Sequence, residues 1–383
     1  MRARIITWSV ILMLAIATKQ AFADFIPLGD LPGGEFNSVA LGVSADGHVV
    51  VGQSSSILGF EAFHWSQVYG MLSLGAAPNS AAAATSVDGS VIVGRLLNLQ
   101  AFRWTQATGP IGLGSLPGGS QSEALGVSAD GAVVVGQGNS VINGMGSGNL
   151  AFRWTQASGM VFLGDLPGGP FISFANGVSA NGSVIVGASN SALGQEAFRW
   201  TEAEGMVGLG DLAGGGGFLS VARAISPDGA VIVGNANSAF GNEAFRWTQE
   251  SGIIGLGDLP GGGQFFNSYA LEVSENGSIL VGLGETDLGF EAFVWDSMNG
   301  IRNLRDVLIG QGDDLTGWRL DRANGISADG KIIVGSGFNP GGQPEAWLAR
   351  LSPVASIPEP STILLFGIGA FGLLVCWKYR KQA

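Results

Sequence analysis

One short pattern is written seven times along this chain, and that periodicity restricts the fold more than any other feature. Its marks are Asp46-Gly47, Asp88-Gly89, Asp130-Gly131, Asn181-Gly182, Asp228-Gly229, Asn276-Gly277 and Asp329-Gly330, with the glycines 42, 42, 51, 47, 48 and 53 residues apart. Such spacing belongs to stacked or radial arrays. An Asp-Gly or Asn-Gly pair between two apolar runs predicts a hairpin closed by a type I′ turn, so Leu41 to Ser44 should pair with Val49 to Val51. The second run is β-branched in every copy, as a strand covered on both faces requires. A third strand places Phe63 and Trp65 on one face, and the pair recurs as Phe102/Trp104, Phe152/Trp154, Phe198/Trp200, Phe245/Trp247 and Phe293/Trp295. A fourth precedes each glycine pair, as in Gly109 to Leu116, Gly159 to Leu166 and Gly205 to Leu212.

Four short strands in roughly 47 residues, seven times over, predict an all-β fold, a seven-bladed β-propeller of four-stranded blades. A solenoid is the rival, but it normally uses shorter coils and polar end caps. The chain ends favour a ring. Phe25 to Gly34 reads as a fourth strand with no blade before it, and Glu345 to Leu351 as a third strand with no fourth after it. The N-terminal strand should therefore close the last blade and remove its open edge.

Residues 1–23 read as a secretory signal peptide: Arg2 and Arg4, a 13-residue apolar run from Ile5 to Ala17, and small residues ending at Ala23, where signal peptidase would cut. The block 24–357 carries 12 basic and 29 acidic residues, a net charge of −17, which argues against nucleic acid as a partner. Its 64-glycine chain would otherwise read as low complexity, but the apolar runs are regular and the glycines fall at turns. The lone cysteine, Cys376, lies outside the block, so no disulfide braces it.

No catalytic arrangement emerges. His48 and His64 lack metal-ligand spacing, no serine sits in G-x-S-x-G, and carboxylates recur at matching places, as structural residues do. Neither a cofactor nor a metal is expected. Two segments depart from the repeat: 137–149, a longer Gly/Asn-rich loop, and the insert 310–322, where Asp313, Asp314 and Trp318 form the candidate ligand loop.

The tail runs Pro358-Glu359-Pro360-Ser361, an apolar stretch giving a transmembrane helix over 362–377, then the membrane stop Lys378, Arg380 and Lys381. This stretch resembles the PEP-CTERM sorting signal of Gram-negative bacteria. The repeats resemble HAF-type extracellular repeats through Glu61-Ala62-Phe63, Glu196-Ala197-Phe198 and Glu243-Ala244-Phe245, with Glu, Gln or Leu where that motif has His. These resemblances imply secretion across the inner membrane, a transient tail anchor, processing by exosortase at residues 358–361, and a place at the cell surface or in the biofilm matrix. The expected function is a non-enzymatic surface or exopolysaccharide-matrix protein with a matrix polymer as partner; the alternative is an extracellular carbohydrate-active enzyme, glycosidase or lyase, working in the propeller mouth.

Overall fold

A computed structural model describes residues 25–352, apart from 98, 143 and 144; the signal peptide, the sorting residues 358–361, the helix 362–377 and its basic stop lie outside that span. Within it no helix is long and apolar enough to cross a membrane. The first unit is a four-stranded antiparallel meander of Ser38–Val43, Val50–Ser56, Gly59–Ser66 and Gly70–Ser73. Equivalent sheets follow over 81–112, 122–162, 168–210, 221–255, 266–303 and 319–350. The seventh has only three strands of its own, and Phe25–Pro27 supplies the fourth, pairing antiparallel with Pro344–Arg350 so that Phe25 faces Ala349.

Two sets of hydrogen bonds tie the sheets into a ring, and both reach from the last unit to the first. In the outer set, a third-strand alanine N–H donates to the buried hydroxyl of the serine that opens the next unit: Ala62 to Ser80, Ala101 to Ser122, Ala151 to Ser173, and, across the closure, Ala346 to Ser38, each at 3.0 Å. In the inner set, the residue after each turn serine donates to its counterpart in the neighbour. Ala45 donates to Val87, Val87 to Ala129, Ala129 to Ala180, Ala180 to Pro227, Glu275 to Ala328 and Ala328 to Ala45, at 2.9 to 3.1 Å. The link from the fifth unit to the sixth is missing because Pro227 has no N–H to give.

The hairpin turns differ from the expected type. At Ser44-Ala45-Asp46-Gly47 the Gly47 N–H donates to the Ser44 carbonyl at 2.9 Å, and only Gly47 has positive φ, +75°, so the turn is of type I with a glycine after it rather than type I′. Ser44 Oγ donates to Asp46 Oδ1 at 2.6 Å, His48 N–H donates to the same oxygen, and Val49 N–H donates to Ser44 Oγ. The same serine-to-Asx bond recurs in all six other units. This closed local network is why the repeat keeps Ser two residues before Asp or Asn.

The core lies between sheets. Phe63, Phe102, Phe152, Phe198, Phe245 and Phe293 are fully buried, whereas Trp154 and Trp200 are only partly so. The seventh unit exchanges sizes: Trp347 takes the Phe position, Ala349 the Trp position, and Phe25 fills the space left, its ring centroid 6.1 Å from that of Trp347. Phe152→Ala should therefore cost about 3 to 5 kcal/mol in denaturant unfolding, more than Trp154→Ala; equal costs would show that the tryptophan row carries the packing.

Three segments depart from the sequence reading. The Gly/Asn-rich stretch 137–149 is mostly an extended hairpin of Val133–Ile142 and Met145–Thr155. The outermost strands stop early, as Gly109–Gly112 and Gly159–Phe162. The insert is entered through a helix, Leu304–Gln311, started by the Asn303 side chain, which accepts from Arg305 N–H, and ended at Gly312 with φ +104°.

Candidate active site in the axial cavity

Every innermost strand carries a β-bulge at one place, between Ala40 and Gly42 in the first unit and between Ala270 and Glu272 in the sixth. A bulge turns an extra side chain out of the ladder. The bulged residues are Leu41, Ala83, Leu125, Asn176, Arg223, Leu271 and Asn324, and with the residues beside them they line a cavity of about 260 Å³ bordered by all seven units, hence on the ring axis.

The residue after the bulge is Gly42, Ala84, Gly126, Gly177, Ala224 and Gly325 in six units, and Glu272 in the sixth. Its smallness elsewhere has a steric cause. A Cβ at Gly42, Gly126, Gly177 or Gly325 would lie 3.2 to 3.3 Å from backbone of the next unit's innermost strand. The sixth unit accepts a full side chain at this crowded place, and a carboxyl one. Glu272 is half-buried and lines the cavity; burial pushes its carboxyl up to about 7, against a single opposing hydrogen bond from Val273 N–H at 3.0 Å.

Arg223 breaks the symmetry on the neighbouring unit. Its Nε donates to Asn235 Oδ1 at 2.8 Å, and its guanidinium sits 5.3 Å from the Tyr269 ring centroid. Burial lowers its pKa first; Tyr269 opposes that shift and Arg322 adds to it. The corresponding Asn176 and Asn324 instead staple neighbours, donating to the carbonyls of Ala222 at 2.8 Å and Ala40 at 2.7 Å. Arg223 and Glu272 thus border one cavity without forming an ion pair, and Glu272 is the only carboxylate among its described lining residues. Both flank the fifth-to-sixth seam that lacks its backbone link.

The candidate ligand loop lies elsewhere, on the seventh unit. Trp318 is half-buried, edge-on to Phe25 at 5.0 Å, with its carbonyl accepting from Arg305 Nε at 3.0 Å. Asp314 accepts from Thr316 N–H at 3.0 Å, and Asp313 N–H donates to the Leu308 carbonyl at 3.1 Å. None of the three lines the cavity. Sequence reasoning missed Glu272 and Arg223, although a signal was present: superposing the seven copies of the Ala-Leu-Gly-Val-Ser segment shows one acid and one guanidinium among small or neutral residues.

The profile of the PEP-CTERM protein-sorting motif matches residues 356–381, which indicates an exported protein of a Gram-negative bacterium, sorted by exosortase at the membrane. No curated protein matches the sequence. Among solved structures, an oligogalacturonate lyase in complex with manganese superposes with TM-score 0.51 at 12% identity, covering 82% of this chain and 88% of that one. An oligogalacturonate lyase from Vibrio parahaemolyticus does so with TM-score 0.51 at 10% identity, over 82% and 89%. TolB from Acinetobacter baumannii follows with TM-score 0.44 at 13% identity, over 80% and 81%. The two lyase likenesses support the all-β, propeller-like arrangement. They also correct the expectation of a non-enzymatic matrix protein, because the enzymatic alternative agrees better with lyases as fold neighbours. Among the described residues no group of three or more His, Cys, Asp or Glu comes together as metal ligands, so one carboxylate and one guanidinium do not fit a manganese centre at this cavity.

Proposed function

We propose that the chain is an exported, carbohydrate-active lyase built on a seven-bladed β-propeller with HAF-like repeats, acting on uronate-containing polysaccharide at the cell surface or in the matrix. The observation that carries this reading is Glu272, a lone cavity carboxyl raised to about 7, facing the same space as Arg223. A glycosidase needs two carboxyl groups across the scissile bond, and the cavity offers one. Elimination needs a different set: a base for the proton next to a carboxylate, and a cation on that carboxylate.

In this scheme Arg223 holds the uronate carboxylate and makes the C5 proton more acidic by drawing charge toward itself. Glu272, ionised, takes the C5 proton; that bond's electron pair forms the C4–C5 double bond; the C4–O bond breaks, the leaving oxygen takes a proton from water, and the hydroxide so formed takes the proton from Glu272, which restores its carboxylate. Atoms and electrons balance without an oxidant or a second substrate. A base near 7 has the driving force to act at neutral pH while remaining largely deprotonated just above it.

Incubating the released protein with polygalacturonate and other polyuronides tests the reading through the ultraviolet absorbance of an unsaturated uronate end. New reducing ends without that absorbance would mean hydrolysis, and no cleavage of any polyuronide would remove the proposal. Sorting is tested separately. The prolines of Pro358-Glu359-Pro360 keep the junction extended, as a protease needs, so mass spectrometry of protein from native cells should find a C-terminus near residues 359–361. A mature chain ending at Ala383 would make the tail an ordinary anchor.

A further inference from the structure

In a block with 29 acidic residues, Arg223 has no carboxylate partner. Arg95, Arg199, Arg302 and Arg319 each sit within 2.5 to 3.3 Å of an Asp or Glu oxygen, whereas among the described residues neither Arg223 nor Arg322 takes part in an ion pair. Burial depresses the Arg223 pKa first, and the positive charge of Arg322 on the seventh unit adds to that shift. Two cations thus act on each other with no carboxylate paired to either. What Arg223 has instead is a relay of neutral amides. Its Nε donates to Asn235 Oδ1 at 2.8 Å, Asn235 Nδ2 donates to Asn242 Oδ1 at 2.8 Å, and Asn242 Nδ2 donates to the Ser268 carbonyl at 3.2 Å. A guanidinium can only donate and a carbonyl can only accept, so both ends impose the same direction on the two amides.

The relay runs from the fifth unit's innermost strand through its second and third strands to the innermost strand of the sixth. Asn235 is buried, and Ser268 precedes Tyr269, over whose ring the guanidinium lies. The third unit puts the same two places to a contrasting use. Gln137 and Asn149 stand there where the fifth unit has Asn235 and Asn242. Their direction is reversed: Asn149 Nδ2 donates to Gln137 Oε1 at 3.3 Å, and Gln137 Nε2 donates to Glu123 Oε2 at 3.2 Å, with Glu123 itself paired to Arg95 at 3.3 Å. That relay ends on an anion whose charge is already matched. The one at Arg223 ends on a cation whose charge is not.

We infer that Asn235 is a positioning residue: it holds Arg223 through Nε without neutralising it, and so keeps the Nη1–Nη2 edge charged and pre-oriented for the carboxylate of an unesterified uronate unit. The inference rests on the lyase reading of the same cavity. Among the described residues Nε is the only guanidinium nitrogen of Arg223 with a hydrogen-bond partner, so two parallel N–H groups stay available for the two oxygens of one carboxylate. A methyl ester carries no charge to match them. The amide at 235 also has a reason that packing alone does not supply. An Asp in its place would bond Nε more strongly, but its charge would compete with the substrate carboxylate for the guanidinium.

Calorimetric binding of trigalacturonate, or of the trisaccharide of whichever polyuronide the wild type cleaves, tests the inference, with Glu272→Gln present throughout so that the sugar is not consumed. Adding Asn235→Asp should weaken binding about tenfold or more, while the thermal midpoint holds or rises because the bond to Nε is now charge-assisted. The fully methyl-esterified trisaccharide should bind with one weak affinity to the proteins with and without the Asp. With Glu272 in place, Asn235→Ala should lower kcat/KM about a hundredfold, as a misplaced guanidinium does, and keep the rise in rate near pH 7; Asn242→Ala, one link further away, should act in the same direction and less. If Asn235→Asp binds the free acid as tightly as its parent, or loses acid and ester equally, Asn235 is a packing partner and the inference falls while the lyase reading stands. A wild type that neither cleaves nor binds any polyuronide removes both.

Discussion

Glu272→Gln should abolish turnover while leaving the ring intact, with a loss of about a thousandfold, within the range expected when a general base is removed. The wild-type pH profile should rise with an apparent pKa near 7, the value to which burial pushes this carboxyl, and that limb should vanish in the variant. The same substitution has the opposite effect on stability. The folded-state pKa lies above that of an unfolded glutamate, so the native state holds its proton more tightly; stability then falls as pH rises from about 4.5 through 7 and stays low above it. Replacing Glu272 by the neutral amide removes that penalty, worth about 1 to 3 kcal/mol at pH 8, with the lower figure applying where cavity water solvates the carboxylate. A variant both inactive and more stable in alkaline buffer is the expected outcome; an active one, or one destabilised equally at every pH, would show Glu272 to be a packing residue.

Removing residues 25–31 should cost far more than a terminal trim. The segment carries Phe25, Leu28 and Leu31, all buried, and it covers the edge of Pro344–Arg350. Leu28 and Leu31 pack with Phe63 and Trp65 of the first unit and with Val334 and Leu348 of the seventh, so they bridge the closure. Three such side chains at about 1.5 to 3 kcal/mol each represent about 4.5 to 9 kcal/mol, comparable with a domain's whole net stability. The deletion protein should fail to fold or aggregate through its open edge; Phe25→Ala alone should fold with a lowered midpoint. A deletion with an unchanged thermal midpoint would show the ring to be held without this strand.

Much of this architecture was legible because it is repetitive. The buried phenylalanines, the β-branched second strands and the orphan Phe25–Pro27 strand are each implied by pattern and chain order, and the structure pairs that strand with Pro344–Arg350. What escaped detection depends on geometry that a single copy does not reveal. The turn type follows from the Ser44 to Asp46 side-chain bond, which outweighs the Asp-Gly preference for type I′. The helix Leu304–Gln311 is only eight residues long and lies in a segment with no repeat to compare. Glu272 and Arg223 stay inconspicuous in linear sequence because only ring closure brings their strand positions to one cavity, and a solvated acid and a buried one read alike until then. Trp318 shows the converse: half-buried, its ring meets Phe25 edge-on, a contact with the other end of the chain that the sequence does not display.

The account rests on the axial cavity as the place where a uronate chain is held. The most direct measurement is a crystal structure of the Glu272→Gln protein with a galacturonate oligosaccharide. The prediction is a sugar carboxylate on the Arg223 guanidinium with the ring's C5 turned to residue 272; an oligosaccharide bound at the Asp313–Trp318 loop or on the outer rim, with the axial cavity containing only water, would contradict it.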